Sequence, residues 1–312
     1  MKKLLLNTAL GALTLGIVSV ASPTMNTALA QEAAAPAATE DTKTVDVDPA
    51  LWVVKDEDTT IYMFGTVHFL RPGLSWFDEA VKTSFDQSDE LVVEILSPDG
   101  PDAQQMVMQL ATDTSGTSLR DKLESEDRAA YEAAMKKLGL PEQAFDQFKP
   151  WFASLNLGLL PALKSGYNPN SGADKILITK AKESGKKLSE LETVAFQMNM
   201  LAGSNIEDQI KGLNYTVQNV DKAVPTIDGM VTAWSEGKPD DLAEIMNANI
   251  LNGRMYDTFL TRRNAAWSRW IDERLDQPGT VFIAVGAGHL AGDGSVQEQL
   301  KLRGIDTARI NY

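Results

Sequence analysis

The chain has no cysteine and only two histidines in 312 residues. The first absence excludes disulfides, thiol nucleophiles and thiolate metal sites together, so any chemistry falls to imidazole, carboxylate, hydroxyl or lysine groups. Positive charge is also scarce: lysine and arginine total 29 against 43 aspartates and glutamates, a formal net charge of -14. That balance argues against nucleic-acid binding and against docking on anionic lipid. No internal repeat of solenoid period occurs.

Residues 1–30 read as an export signal. Lys2 and Lys3 supply the positive start, LLLNTALGALTLGIVSV the apolar stretch, and Ala28-Leu29-Ala30 the small-x-small cleavage pattern. Asn7 and Thr8 interrupt the apolar run, which favours cleavage over a membrane anchor. The expected product is periplasmic, or alternatively extracellular, with no stable membrane anchor. Residues 31–48, rich in Ala, Pro and Thr without apolar periodicity, read as a flexible linker. Residues 49–312 are expected to form a single α/β domain.

Within that domain LWVVKD and TTIYMFGTVHFL, separated by an acidic turn, predict a hairpin. A helix around SWFDEAVKTSFDQSD, with Ser75 as its N-cap, precedes a third strand at ELVVEIL. Residues 102–277 are helical in pattern apart from a β-like KKLSEL, and TVFIAVGAGHLAGDGSVQEQLKLRGIDTARINY reads strand, glycine-rich turn, helix, strand. The fold class is therefore α/β with α+β character: a mixed central sheet flanked by helices, with a large helical insertion before the C-terminal strand-helix-strand.

Both histidines end a G-x-x-H, in GTVH at 65–68 and GAGH at 286–289. His68, Glu94 and His289 each fall at a strand end, where ligand sites gather in open α/β sheets. Two imidazoles and a carboxylate could bind Zn, Mn, Fe or Co with a position left open for water. Alternatively, Glu94 could orient an imidazole that removes a proton from water. The alternation in ELVVEIL also allows Glu94 a plain solvent-facing position.

In MYDTFLTRRNAAWSRWIDERL, Tyr256, Leu260, Arg263, Trp267, Trp270 and Arg274 recur at helical spacing. Arg263 thus lies in a stripe that should face the core, and a buried guanidinium needs a carboxylate partner or a polar cavity. Met198, Met200 and LNLGLLPAL read as ordinary packing.

The chain resembles the TraB/GumN family, which includes the Tiki proteins of animals. The likeness rests on GTVH, the glutamate in ELVVEI, GADKIL with AKESGKKLSELET, RNAAW at 263–267, and VFIAVGAGHLAGDGSVQEQLKLRG. It implies an active-site core of His68, Glu94 and His289, with Arg263 and Asn264 as site-lining residues and Glu192 as a further carry-over. Because Tiki members are described as metal-dependent proteases, it also implies a divalent metal (Mn, Co, Zn or Fe) on His68, Glu94 and His289, and a peptide or small-molecule substrate. The wider superfamily, with erythromycin-esterase-like hydrolases and haem-binding ChaN-like proteins, leaves two alternatives. One is a metal-free esterase-like hydrolase with a histidine base; the other is a non-catalytic peptide- or cofactor-binding protein.

Overall fold

A computed structural model describes residues 44–247 and 256–312. The expected signal at 1–30, and the linker as far as residue 43, lie outside the described residues. The last part of the expected linker is packed: β1 (Val45–Asp46) pairs parallel with β4 (Leu74–Ser75), and Val47 is buried.

Among the described residues the main sheet has six strands. β2 (Leu51–Lys55) and β3 (Thr59–Thr66) form the expected hairpin, whose turn is held by Thr59 N–H donating to Asp56 Oδ1 at 2.8 Å. Next to β3 lie β7 (Gly279–Gly286), β5 (Glu90–Val93) and β6 (Lys187–Glu190), all parallel to it. β2 closes the other side, with β8 (Ala308–Ile310) antiparallel to it at the edge. Since β7 lies between β5 and β3, the carboxyl ends of three strands from distant parts of the sequence stand side by side.

Among the described residues the α-helices are α1 (Glu79–Gln87), between β4 and β5, and then α2 (Pro101–Ala111), α3 (Ser125–Lys137), α4 (Pro150–Lys164) and α5 (Ala173–Glu183) before β6. After β6 come α6 (Val194–Ala202), α7 (Ile206–Gln218), α8 (Ala223–Ser235), α9 (Pro239–Asn247) and α10 (Arg262–Leu275), with α11 (Val296–Leu302) between β7 and β8. A single π-helical turn at Asp257–Thr261 leads into α10. Pro101 and Pro150 open α2 and α4, where a missing N–H costs no helical bond. Ser75 does not cap α1: it sits in β4, and its hydroxyl donates to Asp78, the residue in the N-cap position.

Parallel strands covered on both faces carry apolar side chains in succession, and β7 shows this from Val281 to Val285, all buried. Phe64, Leu91 and Phe282 point to one side against Val81 and Phe85 of α1, Leu177 of α5 and Trp234 of α8. Met63, Val92 and Ile283 point to the other, against Trp267 and Ile271 of α10 and Leu300 of α11. A separate helical core forms around Tyr131, Phe148, Phe152, Leu157, Met198 and Leu213. Burial on both faces of β5 also removes the solvent-facing option for Glu94, which is 2% exposed. Among the described residues no helix is long and apolar enough to cross a membrane.

Candidate functional site

Glu94 follows the last residue of β5 and turns its carboxylate toward β7. Gly286 N–H donates to Oε1 at 2.7 Å, while Arg263 Nη2 at 2.5 Å and Gln197 Nε2 at 2.9 Å donate to Oε2. Burial alone would raise this pKa, but the Arg263 charge, followed by His289, His68 and the Gly286 N–H, holds it down at about 2. Glu94 is therefore a carboxylate inside the protein.

Arg263 comes from the first turn of α10 and is buried as the aromatic stripe required. Its Nε donates to both Glu192 oxygens at 2.9 and 3.1 Å, Nη2 to Glu192 Oε2 at 2.9 Å, and Nη1 to Phe259 O at 3.0 Å. Burial opposes the charge, yet Glu94 and Glu192 outweigh it and raise the guanidinium pKa further. Trp267, one turn on, places its ring 4.9 Å from the guanidinium and donates its indole N–H to Glu192 at 3.0 Å. Glu192 reaches this position from the end of β6. The next residue, Thr193, caps α6 by accepting from Phe196 N–H at 3.2 Å, and α6 carries Gln197 back to both carboxylates.

His289 sits in the short 3-10 turn Ala287–Leu290 after β7 and is fully buried. Asn264 Nδ2 donates to Gly294 O at 2.8 Å, which directs Asn264 Oδ1 at His289 Nδ1, 2.5 Å away. Arg263 Nη1 stands 2.9 Å from His289 Nε2, and a guanidinium can only donate. The partners thus assign a neutral imidazole protonated on Nδ1. Burial first, then the Arg263 charge, against the opposing pull of Glu94, depress its pKa to about 3.

His68 follows β3 by two residues. Its Nδ1 lies 3.1 Å from Asp174 Oδ1 in the first turn of α5, and its Nε2 is buried without a partner. Burial pulls its pKa down, but Asp174 and Glu94 outweigh that pull, and the net shift is upward. Asp174 reaches His68 because the chain before α5 runs against it: Ala173 N–H donates to Val67 O at 2.9 Å, and a Cβ on Gly172 would lie 2.4 Å from His68 O. The glycine of the first G-x-x-H has a similar reason, since a Cβ on Gly65 would lie 2.9 Å from Ala287 Cα in the second. The two motifs therefore pack directly on each other.

A cavity of about 550 Å³, counting space open to solvent, lies over the strand ends. Of the five candidate side chains only His68 lines it, together with Thr66, whose buried hydroxyl also lacks a partner. Glu94, Arg263, Asn264 and His289 form one hydrogen-bonded cluster beneath. A metal on His68, Glu94 and His289 needs a free lone pair from each. His289 offers none, with Nδ1 on Asn264 and Nε2 on Arg263, and the guanidinium adds fixed positive charge. Among the described residues no three His, Asp or Glu side chains are placed to hold a metal ion. As arranged, these three residues do not fit a three-ligand metal centre.

Asp174, Gln197, Trp267 and Thr66 join the site without having been singled out for it in the sequence. Asp174 stands in GADKIL and Thr66 in GTVH, but nothing in their spacing says which strand end they face. Trp267 reads as core, and it is core on one side.

These features define the class: a mixed-sheet α/β protein with a buried carboxylate–guanidinium–imidazole cluster at the carboxyl ends of its parallel strands. The chain belongs to the TraB/PrgY/gumN family, which it matches over residues 50–309. It is similar to the uncharacterized protein YbaP of Escherichia coli (strain K12), 23% identical over 256 residues, covering 81% of this chain and 92% of that one. The YbaP of Shigella flexneri is similar to the same degree, 23% over 256 residues. An uncharacterized protein of Treponema pallidum (strain Nichols) is 22% identical over 275 residues, covering 81% of this chain and 80% of its own length. No solved structure matches the chain significantly.

Proposed function

We propose that this protein hydrolyses a carboxylic ester or amide, with His68 as the general base for an attacking water. One observation carries the reading: His68 lines the cavity with Nε2 buried and unpartnered, while Nδ1 is held by the Asp174 carboxylate. An N–H donated to a carboxylate fixes the tautomer and leaves the Nε2 lone pair as proton acceptor.

In the first step water attacks the substrate carbonyl carbon and its proton moves to His68 Nε2. The Thr66 hydroxyl, in the same cavity, donates to the oxygen that gains the negative charge. In the second step the tetrahedral species breaks its bond to the leaving alcohol or amine, which takes the proton back from His68. The imidazolium formed between these steps is stabilised by Asp174 and by the cluster beneath, where, among the described residues, two carboxylates, Glu94 and Glu192, face the Arg263 guanidinium. Arg263, Asn264 and His289 act by fixing that cluster.

A panel of p-nitrophenyl esters and chromogenic peptide amides tests the reading. His68→Ala should lose at least ~10²-fold in kcat/KM, the usual size of a general-base contribution. No turnover of either class by wild type, or turnover unchanged in His68→Ala, overturns it. The leader read in residues 1–30 supports placing this activity in the periplasm, and cell fractionation checks that.

A further inference from the structure

We infer that the cavity over His68 takes an uncharged aliphatic acyl group, so that the substrate is the ester or amide of an aliphatic acyl donor. This inference rests on the hydrolytic reading and adds to it the substrate class.

Two kinds of surface meet in the cavity. The strand-end side is lined by Thr66 and His68, whose Oγ1 and Nε2 are buried without a partner. A buried polar group without a partner costs free energy, so the wall favours a polar ligand group, here a carbonyl and the water that attacks it. The opposite wall is supplied by α4, α8 and α9 through Leu159, Ile227, Met230, Val231, Leu242 and Met246. Among the described residues no Asp, Glu, Lys or Arg lines the cavity. A charged acyl group would be desolvated there without a counter-ion, whereas an aliphatic chain would leave water for an apolar wall. The two methionines adapt to chain shape, which favours a flexible chain over one rigid outline. A cavity with apolar walls and a few convergent polar atoms is also the usual form of a small-molecule site.

Two measurements test the inference. In the first, p-nitrophenyl esters from acetate to octanoate are compared with the p-nitrophenyl monoester of succinate. The rate constant kcat/KM should rise about fourfold per added methylene until the cavity is full, and the succinate ester should fall well below butyrate. In the second, octanamide is titrated calorimetrically into the full protein, a readout that needs no turnover. Leu159→Trp should shorten the preferred chain and Ile227→Ala should lengthen it; Leu159 is only partly buried, so both changes are compatible with folding.

Octanamide binding with graded ester rates supports the inference and the hydrolytic reading together. Octanamide binding without turnover of any ester or amide supports the cavity's chemistry and overturns the hydrolytic reading. Turnover that depends on His68 but is flat with chain length, prefers succinate, or is unmoved by both cavity variants overturns the inference and leaves the hydrolytic reading standing.

Discussion

His289 Nε2 and Arg263 Nη1 stand 2.9 Å apart, so the imidazole lone pair that could have met a metal or a proton meets a guanidinium N–H instead. This one contact separates the two histidines of the protein. His289 is a buried, neutral part of the framework, and His68, which lines the cavity, keeps its Nε2 without a partner.

With only two histidines, ¹⁵N NMR reads this separation without ambiguity. His289 should show a protonated Nδ1 and no titration from pH 8 down to 4, while His68 titrates above its ordinary value of 6.5. The sign for stability follows. His289 has a folded pKa of about 3, below its ordinary 6.5, so its contribution is fully present above pH 6.5 and is lost as pH falls toward 3. Glu94 adds a second loss as pH falls from 4.5 through about 2. Urea unfolding across pH 3–8 should show stability declining below 6.5, and His289→Gln should flatten that decline.

Arg263→Met removes the only guanidinium among the described residues that is hydrogen-bonded to Glu94 and Glu192, and leaves two carboxylates buried. Breaking such a pair from one side costs about 3–5 kcal/mol, and equilibrium unfolding should show a loss of that order. Adding Glu192→Gln should recover part of it, because the residual buried charge falls. An Arg263→Met protein as stable as wild type would contradict the assigned network.

Asp174→Asn keeps the side chain's shape and removes its charge. His68 then loses its nearest carboxylate, so its raised pKa falls and the base form persists to lower pH. The acid limb of ester hydrolysis should move to lower pH, alongside the NMR titration of His68. A limb that stays in place would assign the proton transfer to another group.

Gly172→Ala tests the positioning of His68 by backbone contact. The new Cβ would overlap His68 O, so hydrolysis should drop more than tenfold for a stability cost of about 1–3 kcal/mol. Gly185→Ala serves as the comparison. Its φ of 69° penalises alanine by about 1–2 kcal/mol, but open space surrounds it and His68 should be unaffected.

Much of the sheet was legible because its signals are local. The hairpin, the ELVV strand and the apolar run into GAGH each follow from short patterns, and their ends place His68, Glu94 and His289 at the ends of adjoining strands. The burial of Glu94 was not legible, since ELVVEIL alternates like a half-exposed strand and only the helices packed on the two sides of the sheet cover both faces. The Asp174 contact depends on α5 arriving across the end of β3, and the Gln197 contact on α6 folding back after Thr193; neither leaves a trace in spacing. Ser75 failed as a cap for a related reason, because β4 pairs with β1 and draws that residue into a strand.

The most direct test is the pH profile of ester hydrolysis by protein stripped of metal with a chelator. The account predicts the full rate without added metal, with an acid limb whose midpoint lies above pH 6.5 and matches the NMR titration of His68. A stripped protein that is inert until Mn, Co, Zn or Fe is restored would contradict it, and would require Arg263 to leave His289 in the working enzyme.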